Sequence, residues 1–157
     1  MPLITVSGDP LLTDCQVLAF GYNARGQSES RAEQIRLYQT YPAMFSLFKR
    51  QANKGKIKSG TVWRWDEATP SFALWIIRES PFGATRIRYV QSIIMSFVRD
   101  YQLYNIRSLA LIRPGTPIEY EELYPILEQW LNPLPIPIVL YETYEDGIKA
   151  DEELSSM

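Results

Sequence analysis

Short runs rich in β-branched and aromatic residues occur at 3–7, 16–22, 61–65, 72–78, 108–112 and 136–141, each bounded by Gly, Pro, Asp or Ser, and the pattern predicts six strands. Between them the period changes. Ile35, Tyr38 and Tyr41 recur at helical spacing, as do Val90, Ile93, Ile94, Phe97 and Tyr101, and then Tyr120, Leu123, Leu127 and Trp130, so each set gives one apolar helix face. Pro42 opens a further short helix through Met44, Phe45 and Phe48, because its missing N–H would have no helical partner in a first turn. Gly55 and Gly60 bracket a turn. Strands alternating with amphipathic helices predict an α/β domain with a mostly parallel or mixed sheet covered on both faces. Such sheets bind ligands beyond the carboxyl ends of their strands, which directs attention to the loops at 8–13, 23–30, 79–85 and 113–120.

Composition narrows the chemistry. The 157 residues are 46% hydrophobic and 22% charged, with a net charge of −2, proportions of one domain whose core needs no disulfide or structural metal. There is no histidine, which removes Ser-His-Asp and Cys-His arrangements, histidine metal sites and imidazole bases. Proton transfer would fall to carboxylate, lysine, tyrosine or bound water. The single cysteine, Cys15, lies in an apolar run and has no partner for an internal disulfide, so a buried thiol is expected. The N-terminus lacks the basic start and apolar stretch of a signal peptide, and no run approaches the ~20 residues of a membrane span. A cytoplasmic location without a membrane partner is expected.

Charge is uneven along the chain. Residues 25–64 carry nine basic side chains against Glu29 and Glu33, and such a stretch can track a phosphate backbone. Yet Lys49, Arg50, Lys54, Lys56 and Lys58 fall at a helix end and in the following turn, where cations favour the helix C-terminus and water. Nucleic acid is therefore the weaker of the partner readings. From Glu142 to Glu153 six acids stand against Lys149 alone, so 1–142 is expected to be the domain and 143–157 an acidic, disordered tail.

Two of the strand-end loops carry candidate ligand contacts. Asp9 follows the first strand, placed to accept from an exocyclic amine or to cap a turn that begins at Pro10. Asn23 after the second strand suits a sugar hydroxyl, and Gly26 suits close backbone approach, although Asn-x-x-Gly by itself is a turn signal.

The stretches Ile4-Thr5-Val6-Ser7-Gly8-Asp9, Asp14 to Asn23, Tyr41-Pro42-Ala43-Met44-Phe45, Lys54-Gly55 and Ser59-Gly60-Thr61-Val62 occur in one order. They are followed by Thr85-Arg86-Ile87, Ile106-Arg107-Ser108-Leu109-Ala110-Leu111, Glu122-Leu123-Tyr124-Pro125-Ile126-Leu127 and Val139-Leu140-Tyr141-Glu142. Together they resemble the macro domain family, and within it the branch of DNA ADP-ribosyl glycohydrolase antitoxins, over most of residues 3–142. The resemblance implies a three-layer α/β/α domain with a mixed six-stranded sheet that recognises ADP-ribose or removes it from a macromolecule. It also implies that Asp9 binds the adenine amine, that Asn23 faces the distal ribose, and that Tyr141 or Tyr144 lies against adenine.

The phosphate and catalytic loops depart from that pattern. Where the branch has Asn-x-x-Gly-x-Met-Gly-x-Gly, this chain has Asn23-Ala24-Arg25-Gly26-Gln27-Ser28-Glu29-Ser30-Arg31, so Glu29 and Arg31 replace two glycines. Side chains then stand on a surface that holds diphosphate through bare N–H groups, and a glutamate adds repulsion. The family's Gly-x-Gly-x-Gly-Gly loop corresponds to Arg113-Pro114-Gly115-Thr116-Pro117-Ile118, where two prolines remove donors and fix φ. The Asn-Phe-Pro-Thr-Lys loop corresponds to a shortened Arg78-Glu79-Ser80-Pro81-Phe82-Gly83-Ala84 without lysine, so no catalytic residue is assigned.

Two other features favour structural roles. Trp63 and Trp65 share one strand face opposite Arg64, which suits either base stacking or core, and a helix-covered sheet favours core. Glu121 and Glu122, adjacent on a helix, point about 100° apart and complement its dipole rather than forming a catalytic pair. The expected ligand-binding set is Asp9, Pro10, Asn23, Gly26, Gly115, Thr116 and Tyr141, with no metal ligand and no cofactor. The leading expectation is a degenerate macro domain that binds ADP-ribose, an ADP-ribosylated macromolecule or a related adenine nucleotide weakly and without turnover. The alternatives are a pseudo-site module contacting protein or nucleic acid, and a slow hydrolase using Glu29 or Glu79 with water.

Overall fold

The computed structural model describes residues 3–154. Six strands form one sheet, β1 (Leu3–Gly8), β2 (Val17–Asn23), β3 (Val62–Trp65), β4 (Ser71–Arg78), β5 (Leu109–Ile112) and β6 (Ile138–Tyr144), in the order β1-β6-β5-β2-β4-β3. All neighbours are parallel except the edge strand β3, which runs antiparallel to β4. Helices α1 (Ala32–Thr40) and α2 (Pro42–Asn53) cover one face, and α3 (Ile87–Asp100) and α4 (Pro117–Leu131) cover the other. The expected three-layer α/β/α architecture with a mixed sheet is the one observed.

Alternation along the strands builds both cores. On β2, Leu18, Phe20 and Tyr22 pack with Leu37, Met44 and Phe48 of α1 and α2, while Val17 and Ala19 pack with Val90, Ile93 and Leu127 of α3 and α4. β4 repeats this, with Phe72, Leu74 and Ile76 on the first face and Ala73, Trp75 and Ile77 on the second, as a strand buried on both sides requires. Trp63 and Trp65 join the α1/α2 core, and Trp63 Nε1 donates to Gln51 at 2.9 Å, so the core reading of the two indoles is the observed one. Tyr41, expected in the first helix, instead links α1 to α2 with φ −128° and ψ 58°, because the following proline disfavours helical backbone before it.

Two details aim side chains at the carboxyl edge of the sheet. The register slips between Val6 and Ser7 against β6, and between Tyr22 and Asn23 against β4. In each case the extra residue is on the partner strand, Glu142 of β6 and Ile77 of β4, so the irregularities re-aim the strand ends that carry Tyr144 and Arg78.

The chain beyond β6 departs from the expected disordered tail. β6 itself continues to Tyr144, past the boundary set at 142. Glu145 N–H then donates to Gly8 at 2.9 Å and Asp9 N–H donates to Ile148 at 2.6 Å. Ala150 is buried, Leu154 packs on the α1/α2 core, and Glu152 is 7% exposed. Its carboxylate accepts from Thr13 Oγ1 at 2.5 Å, Asp14 N–H at 2.9 Å and Tyr141 OH at 2.5 Å. A count of acids gave no weight to three waiting donors or to the apolar residues between the charges. Residues 155–157 of that expected tail lie outside the described residues. No helix among the described residues is long and apolar enough to cross a membrane.

Candidate functional site

The carboxyl ends of β1, β2, β4 and β5 present Asp9, Asn23, Arg78 and Arg113 within one region of the sheet edge. Asp9 is fully buried. One carboxylate oxygen accepts from Leu11 N–H at 3.0 Å and caps the short 3-10 turn Pro10–Leu12. The other accepts from Gly147 N–H at 2.9 Å and pairs with the Arg36 guanidinium of α1. Arg36 also bonds Asp146 at 2.5 Å, and Tyr144 OH donates to the same Asp146 oxygen at 2.7 Å. Tyr144, near Asp9 and Arg36, therefore occupies the flank of this carboxylate. Tyr141 is 3% exposed, its ring in the α1/α2 core and its hydroxyl on Glu152. Burial and that carboxylate push the phenol of Tyr141 above its usual range. Of the two tyrosines weighed for adenine, only Tyr144 has an accessible ring.

Asn23 is also fully buried, and its amide is committed. Nδ2 donates to Gln27 C=O at 2.8 Å and to Glu29 at 2.9 Å, and Oδ1 accepts from Gln27 N–H at 3.1 Å. Glu29 turns inward to 8% exposure and forms an ion pair with Arg78 at 2.5 Å. Its own N–H donates to Tyr38 OH at 2.5 Å, and Tyr38 in turn meets Tyr22 OH at 3.1 Å. A glutamate in this loop is thus an internal acceptor, compensated by one guanidinium and one amide. The repulsive side chain expected from the sequence has a built partner. Gly26 has φ +69°, and a Cβ there would stand 3.1 Å from Lys49 Cα, so the close backbone approach it permits is to α2.

Arg31 ties this loop to the next. Its Nη1 donates to Arg113 C=O at 2.7 Å, and its Nε lies 3.3 Å from Glu33. Burial lowers the guanidinium's pKa, and nearby Arg113 and Arg78 act in the same direction against Glu33. Gly115 has φ +77°, and a Cβ there would meet Glu119 Oε1 at 2.8 Å. Thr116 caps α4 in a reciprocal box with Glu119. The Glu119 carboxylate additionally accepts from Thr85 N–H at 3.0 Å and Thr85 Oγ1 at 2.8 Å, while Arg78 Nη2 reaches Thr85 Oγ1 at 3.1 Å. Burial raises the Glu119 pKa, but the N–H donors of Thr116 and Thr85 outweigh it and leave the value lowered. Gly115 and Thr116, expected as ligand contacts, are here the entry to a helix and the clamp on the β4–α3 loop.

The candidate residues therefore divide. Asp9, Asn23 and Tyr144 gather at the sheet edge, Pro10 and Gly26 shape turns beside them, Gly115 and Thr116 organise α4, and Tyr141 is core. Arg36 and Arg78, which hold the two central carboxylates, were not selected from the sequence. Arg78 carried one readable signal, a charge closing the apolar run Phe72 to Ile77, which is buried on both faces, where an isolated ion would be too costly without a partner. Arg36 carried none.

A mixed α/β/α sandwich with buried polar side chains at the carboxyl edge of its parallel strands places the chain among the open-sheet α/β domains. Within that class the chain has the macrodomain fold. The macrodomain of Thermus aquaticus DarG superposes with a TM-score of 0.77 at 19% identity, covering 89% of this chain and 97% of that one. That of Mycobacterium tuberculosis DarG gives 0.79 at 19% identity, with 88% and 96% covered. Thermosipho africanus DarTG, solved in complex with ADP-ribose, gives 0.78 at 19% identity over 96% of this chain and 43% of that one. No protein-family model and no curated protein matches the sequence.

Proposed function

We propose that this chain is a non-hydrolytic, ADP-ribose-binding macrodomain whose cleft is held by its own ion pairs, so that ADP-ribose or a related adenine nucleotide binds weakly. One observation carries the reading: Asp9 and Asn23 stand at the carboxyl ends of β1 and β2, on the same edge of the sheet with β6 and β5 between them, yet each already has an internal charged partner, Arg36 and Glu29. The fold shared with an ADP-ribose-bound neighbour supports the ligand class.

On this reading an adenine amine reaches Asp9 once Arg36 moves onto Asp146 alone, a short step for a side chain that is 30% exposed and already bonded to both. A ribose hydroxyl takes Glu29's place on Asn23, which frees Arg78 for phosphate. Separating a buried pair costs about 3 kcal/mol, and that alone weakens Kd roughly a hundredfold. Hydrolysis is unsupported by the available acids. Glu29 is committed to Arg78 and Asn23, while the Tyr89 hydroxyl holds Glu79 charged by lowering its pKa, whereas a general acid needs its pKa raised toward the working pH.

Calorimetric titration with ADP-ribose tests the reading, with Asp9→Ala as its control and chromatography of an ADP-ribosylated substrate as the turnover assay. Weak saturable heat, lost in Asp9→Ala and unaccompanied by release, is expected. No heat at millimolar ligand in either protein would refute the binding claim and favour an interaction module instead. Release of ADP-ribose by wild type would refute the non-hydrolytic part.

A further inference from the structure

The segment that follows β6 crosses the carboxyl edge of the sheet at Asp9, and two successive residues of it take both kinds of hydrogen-bonding group that Asp9 offers. Gly147 N–H donates to the carboxylate at 2.9 Å, and Asp9 N–H donates to Ile148 C=O at 2.6 Å. Arg36, on the same carboxylate oxygen as Gly147, is itself held by Asp146 of the segment at 2.5 Å. The other oxygen accepts from Leu11 N–H at 3.0 Å. A donor beside an acceptor is also what an adenine ring offers along one edge, through its exocyclic amine and a neighbouring ring nitrogen. The peptide groups of Gly147 and Ile148 therefore present to Asp9 the pattern that adenine would present.

This short stretch is built to part from the body of the protein. Glu145, Asp146, Gly147, Ile148 and Lys149 are all exposed, so lifting them away gives up little apolar burial, the mark of a segment that opens locally. Its two ends are fixed, by β6 up to Tyr144 and by the buried Ala150 and Glu152. The ion pair of Lys149 with Asp14 is more than half exposed on both sides and contributes little. The close crossing depends on Gly8, where a Cβ would stand 2.8 Å from Ala150 Cβ and 2.9 Å from Ile148 C=O. Gly147 turns the chain at φ +74°, and among the described residues nothing lies within 4 Å of a Cβ added there.

We infer that residues 145–149 are an autoinhibitory flap, an internal competitor that fills the adenine-reading groups of Asp9 and lifts away between its fixed ends when a nucleotide binds. Arg36 leaves Asp9 with Asp146, so one movement frees both the carboxylate oxygen and the Asp9 N–H. The inference rests on the ADP-ribose reading and adds a regulatory step to that site. Apparent affinity is then lowered in proportion to the fraction of molecules whose flap is open.

Gly147→Ala in the full chain tests this, because the added methyl meets no neighbour and acts by straining a left-handed backbone. Amide hydrogen exchange followed by NMR measures flap opening without ligand, and calorimetry with ADP-ribose measures affinity. In the variant the Asp9 and Gly147 amides should exchange about fivefold faster, with Leu140 of β6 unchanged, and ADP-ribose should bind tighter by the same factor. Saturating wild type with ADP-ribose should protect the Asp9 amide and release that of Gly147. Unchanged exchange in the variant would overturn the flap. Faster exchange without tighter binding, or protection of both amides by ADP-ribose, would overturn the competition and leave the ADP-ribose reading standing. Absence of binding to either protein would instead overturn that reading and the inference with it.

Discussion

Glu29 and Glu152 illustrate opposite fates of a carboxylate that sequence reasoning places in a loop. The family resemblance implies a glycine at the position of Glu29, so that carboxylate could be singled out from it; its partner Arg78 could not, because the two meet across 49 positions of chain. Glu152 sits among acids that read as solvent-exposed, yet it gathers Thr13, Asp14 and Tyr141 around one buried carboxylate. Glu152→Ala should cost about 3 kcal/mol in urea unfolding, because two buried hydroxyls and a backbone N–H lose their acceptor. A change under about 0.5 kcal/mol, the usual size for a surface substitution, would return that residue to the surface. Cys15 is a simpler case. Burial pushes its thiol to about 11, so iodoacetamide should leave the native protein unmodified at pH 8 and label it only in denaturant.

At the scale of elements, all six strands were readable, because each is a short apolar run closed by breakers. Their ends moved by one to three residues where pairing, not propensity, decides. Helix α4 also shows how one residue serves two elements, since Glu119 closes the capping box and clamps Thr85 in the β4–α3 loop. Its pKa is lowered from the usual 4.5, so its contribution is present above 4.5 and is lost as pH falls through the lower folded value. Glu119→Gln should flatten this part of the acid limb of stability, measured by thermal unfolding from pH 6 downward. An unchanged pH profile would remove Glu119 from the account. Thr116→Ala should cost about 1 kcal/mol through the cap alone. The helix entry was legible in Gly115-Thr116-Pro117; the reach of Glu119 to Thr85 was not, being a contact between two loops.

For the whole molecule, the architecture followed from alternating periods and from scattered matches in order along the chain, and the solved neighbours share it. What escaped was the closure of the carboxyl edge by the segment after β6, which places Gly147 on Asp9 and Ile148 against its backbone. Charge composition pointed to solvent there, whereas a few apolar side chains and one buried carboxylate outweigh it. Ending the chain after Tyr144 should therefore lower the unfolding midpoint and expose Asp9. If midpoint and Asp9 environment stay the same, the segment does not close the edge.

In the proposed function, internal ion pairs occupy the places an ADP-ribose ligand would take. Calorimetric titration of ADP-ribose into Glu29→Ala, beside wild type, tests it most directly, with folding of both proteins checked by circular dichroism. Removing the carboxylate leaves Asn23 and Arg78 free to bind, so the variant should be less stable by about 3 kcal/mol yet bind at least tenfold more tightly. A folded variant that binds no better than wild type would contradict the account.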